Sequence, residues 1–173
     1  HALLDALAEG LGEVAERYRC PVAGGDTNLA DGQLVIAVTV LGRPGDAGVL
    51  TRAGARPGDR LSVTGKLGGS RAGRHLVPEP RLGEAQVLAA SGLVHAMMDI
   101  SDGLSRDLPR LCRASGVGAR VEARRVPLHE DAHAADDGTT PLDHALHDGE
   151  DFELLVAHAP LDAERRAQVE AAG

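Results

Sequence analysis

The 173 residues suffice for one ordinary domain or one and a fraction, and the two cysteines, Cys20 and Cys112, form no CxxC pair, which argues against a disulfide scaffold or cysteine zinc site and for a reducing, cytoplasmic setting. Eighteen basic against 26 acidic side chains leave a formal charge of −8, and only Tyr18 and Phe152 are aromatic, which disfavours nonspecific nucleic-acid or membrane adhesion and leaves almost nothing for base stacking. No apolar run approaches the roughly 20 residues that span a bilayer, and no secretory leader pattern opens the chain.

The chain starts at His1, already inside a helical pattern, and reads as a fragment or processed product. Leu4, Leu7, Leu11, Val14, Ala15 and Tyr18 recur at helical spacing, predicting an amphipathic helix over 2–18. Residues 34–41 are β-branched and nearly all apolar, as in a strand covered on both faces. The glycines and prolines of 42–60 mark a connector, with a domain boundary near Leu50 that separates 1–50 from 51–173.

Leu61–Thr64 reads as a short strand, followed by the glycine-rich turn 65–69, a helix over 70–75 and another over about 81–90. Val94–Ile100 is a strand that leads through Ser101-Asp102-Gly103 into a helix. Pro109 should delay or bend that helix, and Gly116 should stop it. Further expectations are a strand near 119–122, a polar surface loop with some helix over 128–140, a short helix over 142–147, a strand over 152–157 and a helix over 162–172 capped by Asp162. Alternating strands and helices indicate an α/β or α+β fold.

Three acidic turns carry the chemistry. Asp99-Ile100-Ser101-Asp102-Gly103 sets two carboxylates around a hydroxyl where a strand gives way to a helix. Such a turn suits magnesium, which takes one or two carboxylates plus waters and phosphates, and the helix start offers N–H groups to a phosphate. An ordinary helix cap would read the same way. Gly24-Gly25-Asp26-Thr27 is a second compact acidic turn, and Asp148-Gly149-Glu150-Asp151-Phe152-Glu153 places four acids at a strand entrance; their plain alternatives are a glycine turn and a solvated charge run. Lys66 lies in a glycine-rich turn, but GxxxxGK[ST] is absent and a P-loop is rejected.

Taken together, GGDT at 24–27, the segment 50–59, Val63-Thr64-Gly65 with Leu67-Gly68, DISDG at 99–103, Ser115 to Ala119 and GEDFELL at 149–155 resemble, in order and spacing, the thiamine-monophosphate kinase family. The resemblance covers residues 1–157. It implies the PurM-like two-domain fold shared with aminoimidazole ribonucleotide synthetase and selenophosphate synthetase. In that fold N-terminal halves pair as a homodimer, and ATP lies near the interface. It also implies transfer of the ATP γ-phosphoryl group to thiamine monophosphate. By the same resemblance Asp26, Asp99 and Asp102 match Mg2+ ligands, Gly25, Asp26, Arg52 and Ser101 match the ATP-binding set, and Glu150 lies in a motif associated with the thiamine phosphate site. An N-terminal acidic cluster and a C-terminal part of the substrate pocket are expected to lie outside this chain.

Two rival readings remain: another ATP-dependent enzyme of the same superfamily, or a noncatalytic nucleotide-binding or dimerisation module. His129, His133, His144 and His147, paired at helical spacing near acids, raise a zinc alternative; a solvated variable loop explains them better.

Overall fold

The computed structural model describes residues 2–29 and 31–162, and it divides into one unit that ends at Leu41 and another that begins at Gly42. In the first unit a helix, α1 (Ala2–Arg17), matches the periodicity. None of its residues is buried, and the Arg17 guanidinium lies 5.3 Å from the centre of the Tyr18 ring.

The strand expected over 34–41 does not form. No strand is assigned there, and Leu34, Val35, Ile36, Val38, Val40 and Leu41 are exposed. A strand exists only through hydrogen bonds to a neighbour, and β-propensity cannot substitute for an absent partner.

The second unit is built on a three-stranded sheet of β1 (Arg60–Val63), β2 (Val94–Asp99) and β3 (Leu154–His158), in the order β1-β3-β2. The last strand in sequence enters between the first two and pairs antiparallel with both. β3 is consequently covered on both faces, with Leu155, Val156, Ala157 and His158 all buried. Leu155 and Ala157 face a core completed by Leu67, Ala96, Ile100 and α3 (Leu104–Ser115), whose Leu104, Leu108 and Leu111 recur at i, i+4 and i+7. Val156 and His158 face the other way, toward a cavity of about 550 Å³ beside α2 (Leu82–Ala90).

Pro109 does not delay α3, which begins at Leu104 and runs through it. Proline lacks only the N–H that would reach the Ser105 carbonyl, and the buried leucine face on either side outweighs that loss. Gly116 stops the helix in the left-handed conformation, φ 68°.

Two other expectations are corrected. Residues 70–75 form two 3₁₀ turns, Ser70–Ala72 and Arg74–Leu76, because Gly73 between them sits at φ 101° and interrupts any continuous helix. The strand near 119–122 is absent, and a 3₁₀ turn, Ala123–Arg125, follows instead. β2 already offers its second edge to another segment, since Met97 N–H donates to the Thr51 carbonyl at 2.9 Å. Short helices α4 (Glu130–Ala134) and α5 (Pro141–His147) complete the unit. The helix expected over 162–172 lies, beyond its first residue, outside the described residues.

Candidate functional site

The pairing of β2 with β3 continues past the strand ends and ties two of the acidic turns together. Ile100 N–H donates to Glu153 O (2.8 Å), Phe152 N–H to Ile100 O (2.9 Å) and Glu150 N–H to Ser101 O (2.8 Å). Asp99, Ser101, Asp102 and Glu150 are thereby brought to one end of the sheet. Ile100, fully buried, anchors the turn from below.

Glycines make the approach possible. Gly103 opens α3 at φ 92°, where a Cβ would lie 2.7 Å from the Leu146 carbonyl oxygen. Gly149 adopts φ 74°, and a Cβ there would lie 2.6 Å from the Ser101 carbonyl oxygen. Gly149→Ala combines a left-handed alanine with a backbone collision, so its unfolding free energy should fall by roughly 2–4 kcal/mol. Denaturant unfolding of the two proteins measures this; unchanged stability would mean that the turns do not pack as described. Glu150 and Phe152 also hold positive φ, 55° and 53°, without being glycine. Backbone strain of about 1 kcal/mol or more at each is tolerated because the surrounding hydrogen bonds over-determine the turn.

The carboxylate that holds the DISDG turn is one that motif reading missed. Asp107, 0% exposed, accepts through Oδ2 from the N–H groups of Ser101 (3.0 Å) and Asp102 (2.9 Å), and through Oδ1 from Arg110 (2.7 Å). A second Arg110 nitrogen lies 2.5 Å from Asp102 Oδ2. The available signal was position: an acid among the leucines of an amphipathic helix face needs a buried partner.

Behind the GEDFE turn, Glu153 is 1% exposed and receives Thr64 Oγ1 (2.6 Å) and a two-nitrogen grip from Arg81 (2.8 and 2.6 Å). Burial opposes its ionisation, but the hydrogen bonds from Arg81 and Thr64 hold its pKa below the ordinary carboxylate value. Next to it a polar pocket of about 210 Å³ is lined by Arg74, Arg81, Asp151 and Glu153 among others. Asp151 Oδ1 accepts from Gly68 N–H (2.9 Å), while Oδ2 has no hydrogen-bond partner among the described residues.

Burial pushes the Asp151 pKa up to about 6 against the opposing bonds from Gly68 and Gly69. A folded pKa above the unfolded value means that the folded state favours the proton. The contribution is present below about pH 3.8 and is lost as pH rises through about 6. Asp151→Asn should therefore exceed the parent in stability by about 1 kcal/mol at pH 8, after allowance for solvent screening, and match it near pH 4. Paired denaturant titrations at the two pH values check the sign.

The remaining candidates are placed as follows. Arg52 is exposed on a loop whose backbone is stapled by Ser115: Oγ donates to Arg52 O (3.1 Å) and accepts from Gly54 and Ala55 N–H. Gly25 and Asp26 lie in the first unit, both exposed. Asp26 accepts from Thr27 N–H and Asn28 Nδ2, each at 2.9 Å. Lys66 pairs with Glu130, and its glycine-rich turn packs on Ala145 and Asp151.

The histidines are only partly a solvated loop. His129 Nδ1 accepts from Asp131 N–H and caps α4, while His144 is 1% exposed and bonds Asp148 at 2.7 Å. His144 Nε2 lies 3.3 Å from Asp137 Oδ1 but makes no aligned hydrogen bond. These local structural roles leave the zinc alternative without support.

Among the described residues no three of His, Cys, Asp and Glu converge as a ready metal cage. The donor chemistry at 99–102 nevertheless fits magnesium. Asp99 is exposed and the Asp102 side chain is 40% exposed, so both can offer hard oxygens to a cation that is usually held by only one or two carboxylates. No helix among the described residues is long and apolar enough to cross a membrane.

Fold and site together define a mixed α/β domain with an acidic turn at one end of its sheet. The chain belongs to the AIR synthase related protein family: residues 30–173 match the model of its C-terminal domain and residues 1–43 that of its N-terminal domain. It is 48% identical over 157 residues to a thiamine-monophosphate kinase of Rhodopirellula baltica, covering 90% of this chain and 49% of that protein. To the Escherichia coli thiamine-monophosphate kinase it is 32% identical over 174 residues, covering 88% and 52%. The chain thus spans about half the length of the curated relatives it matches. The crystal structure of Thiamine Monophosphate Kinase from Aquifex aeolicus superposes with a TM-score of 0.60 at 32% identity, over 66% of this chain and 47% of that one. A structure of AaThiL complexed with AMPPCP and TMP superposes at 0.51, also at 32% identity, over 64% and 42%.

Proposed function

We propose that the chain is part of a thiamine-monophosphate kinase, which transfers the γ-phosphoryl group of ATP to the phosphate of thiamine monophosphate. The observation that carries this reading is the backbone ladder joining DISDG to GEDFE at one end of the sheet, in a chain 48% identical to such a kinase. The AaThiL neighbour complexed with AMPPCP, an ATP analogue, and TMP supports the same substrate pair.

Phosphoryl transfer between two phosphates needs in-line positioning and compensation of charge rather than a protein nucleophile. Bound magnesium would supply that compensation. Asp99 and Asp102 would hold it; Asp26, in the first unit, is a further candidate metal ligand on the family resemblance alone. Ser101 and Arg52 would contact the nucleotide; Gly25, in the first unit, is a further nucleotide-binding candidate on the family resemblance alone. Glu150, its backbone locked to Ser101, would orient the thiamine phosphate. The apolar, exposed segment 34–41 fits a strand completed by pairing in a homodimer.

The test uses the complete gene product with ATP, magnesium and thiamine monophosphate, run beside aminoimidazole ribonucleotide precursors and selenide as alternative reactants. Thiamine diphosphate formation is the expected result. Turnover of another acceptor assigns a different enzyme of the superfamily, and nucleotide binding with no turnover assigns a noncatalytic module; either outcome removes the proposed activity.

A further inference from the structure

We propose that Asp107 is the positioning residue of the Ser101–Asp102 turn, and that Arg110 is a resident counter-ion of Asp102 which a divalent cation displaces. The inference rests on the metal-dependent reading above. Its geometry is independent of that reading. Asp107 is wholly buried, and both of its oxygens are occupied: Oδ2 by two successive backbone N–H groups, Oδ1 by Arg110. Two consecutive amides aimed at one oxygen leave the turn little conformational freedom, and charge-assisted bonds are the strong kind. The direction in which Asp102 leaves the backbone is set there, five residues before Asp107 itself in the chain.

Arg110 sits one helical turn after Asp107, at i+3, so one guanidinium spans the buried carboxylate and the exposed one. The two contacts are unequal. Asp107 is sealed from solvent, and a buried pair is hard to break. Asp102 and Arg110 are 40% and 38% exposed, and an ion pair that open to water is weak. An arriving divalent cation can therefore replace the guanidinium at Asp102 while Arg110 stays fastened to Asp107. The arrangement keeps a cation beside Asp102 before metal binds, and it keeps the turn in its binding shape throughout.

Mn2+ is the probe, its free concentration followed by electron paramagnetic resonance on the full chain, with amide hydrogen exchange read at Ser101 and Asp102. Asp107→Asn cannot satisfy two amides and a guanidinium with one carboxamide. It should weaken Mn2+ binding roughly 10- to 100-fold, as loss of an outer-shell partner does, and speed exchange at both amides. Arg110→Gln removes the competing charge but keeps a donor for Asp107 Oδ1, and should tighten Mn2+ binding roughly two- to five-fold. A merely structural role for the pair predicts weakening in both.

Equal affinity in the parent and Asp107→Asn, weaker binding in Arg110→Gln, or no Mn2+ binding by the parent overturns the proposal. If Asp107→Asn fails to fold, the sign of the Arg110→Gln change decides. Opposite shifts in Mn2+ affinity in a protein that transfers no phosphate to thiamine monophosphate would remove the kinase reading and leave this one standing.

Discussion

Replacing Asp102 by alanine in the complete gene product should lower phosphotransfer on the order of 10²- to 10³-fold, the range for removing one preorganised electrostatic partner of a transition state. Stability should stay within about 0.5 kcal/mol of the parent, because the side chain is 40% exposed and its partner Arg110 retains Asp107. The separation of the two readouts is what identifies a ligand as opposed to a scaffold residue. Steady-state rates across a magnesium titration, beside a denaturant melt, provide both. Full activity in Asp102→Ala would remove this carboxylate from the metal site.

Glu153→Ala should show the reverse profile, with a loss of roughly 3–5 kcal/mol in unfolding free energy, the range for removing one partner of a buried pair. Arg81 would be left without its two-nitrogen partner, Thr64 Oγ1 without its acceptor, and the space beside Gly65 would be emptied. Against a typical total of about 5–15 kcal/mol, such a loss endangers folding at 37 °C. Replacing Arg81 and Glu153 together by methionine should recover much of it, since an apolar pair needs no charge compensation. A small loss in the single variant, or no recovery in the double, would contradict the account. The depressed pKa of Glu153 also fixes a sign: its stabilisation is present above about pH 4.5 and is lost as pH falls, opposite to Asp151 two residues earlier.

Elements with a local pattern of their own, bounded by glycine or proline, were legible in the sequence. The helices at 2–17, 82–90 and 104–115 and the strands at 60–63, 94–99 and 154–158 lie within a residue or two of their expected places. So were the acidic turns at 99–103 and 148–153, because carboxylates beside glycines at a strand end leave a local trace. Elements that depend on a partner were not. Residues 34–41 have strand composition and no strand, and 119–122 likewise lack one. Asp107 and Ser115 looked like routine helical polar residues, yet one pins the DISDG turn and the other staples the Arg52 loop.

Residue types alone set the kind of chemistry available: hard oxygen donors in glycine turns, arginines in and beside the linker, and almost no aromatic surface for bases. Tertiary structure alone decided which of those turns meet. DISDG and GEDFE are some fifty residues apart in the chain, and they touch because β3 inserts between β1 and β2 and carries its entrance turn alongside the exit of β2. Backbone hydrogen bonds between strands are blind to sequence distance. Which acid gains a neighbour was therefore settled by register and by the few glycines that let two backbones come within a Cβ radius of each other.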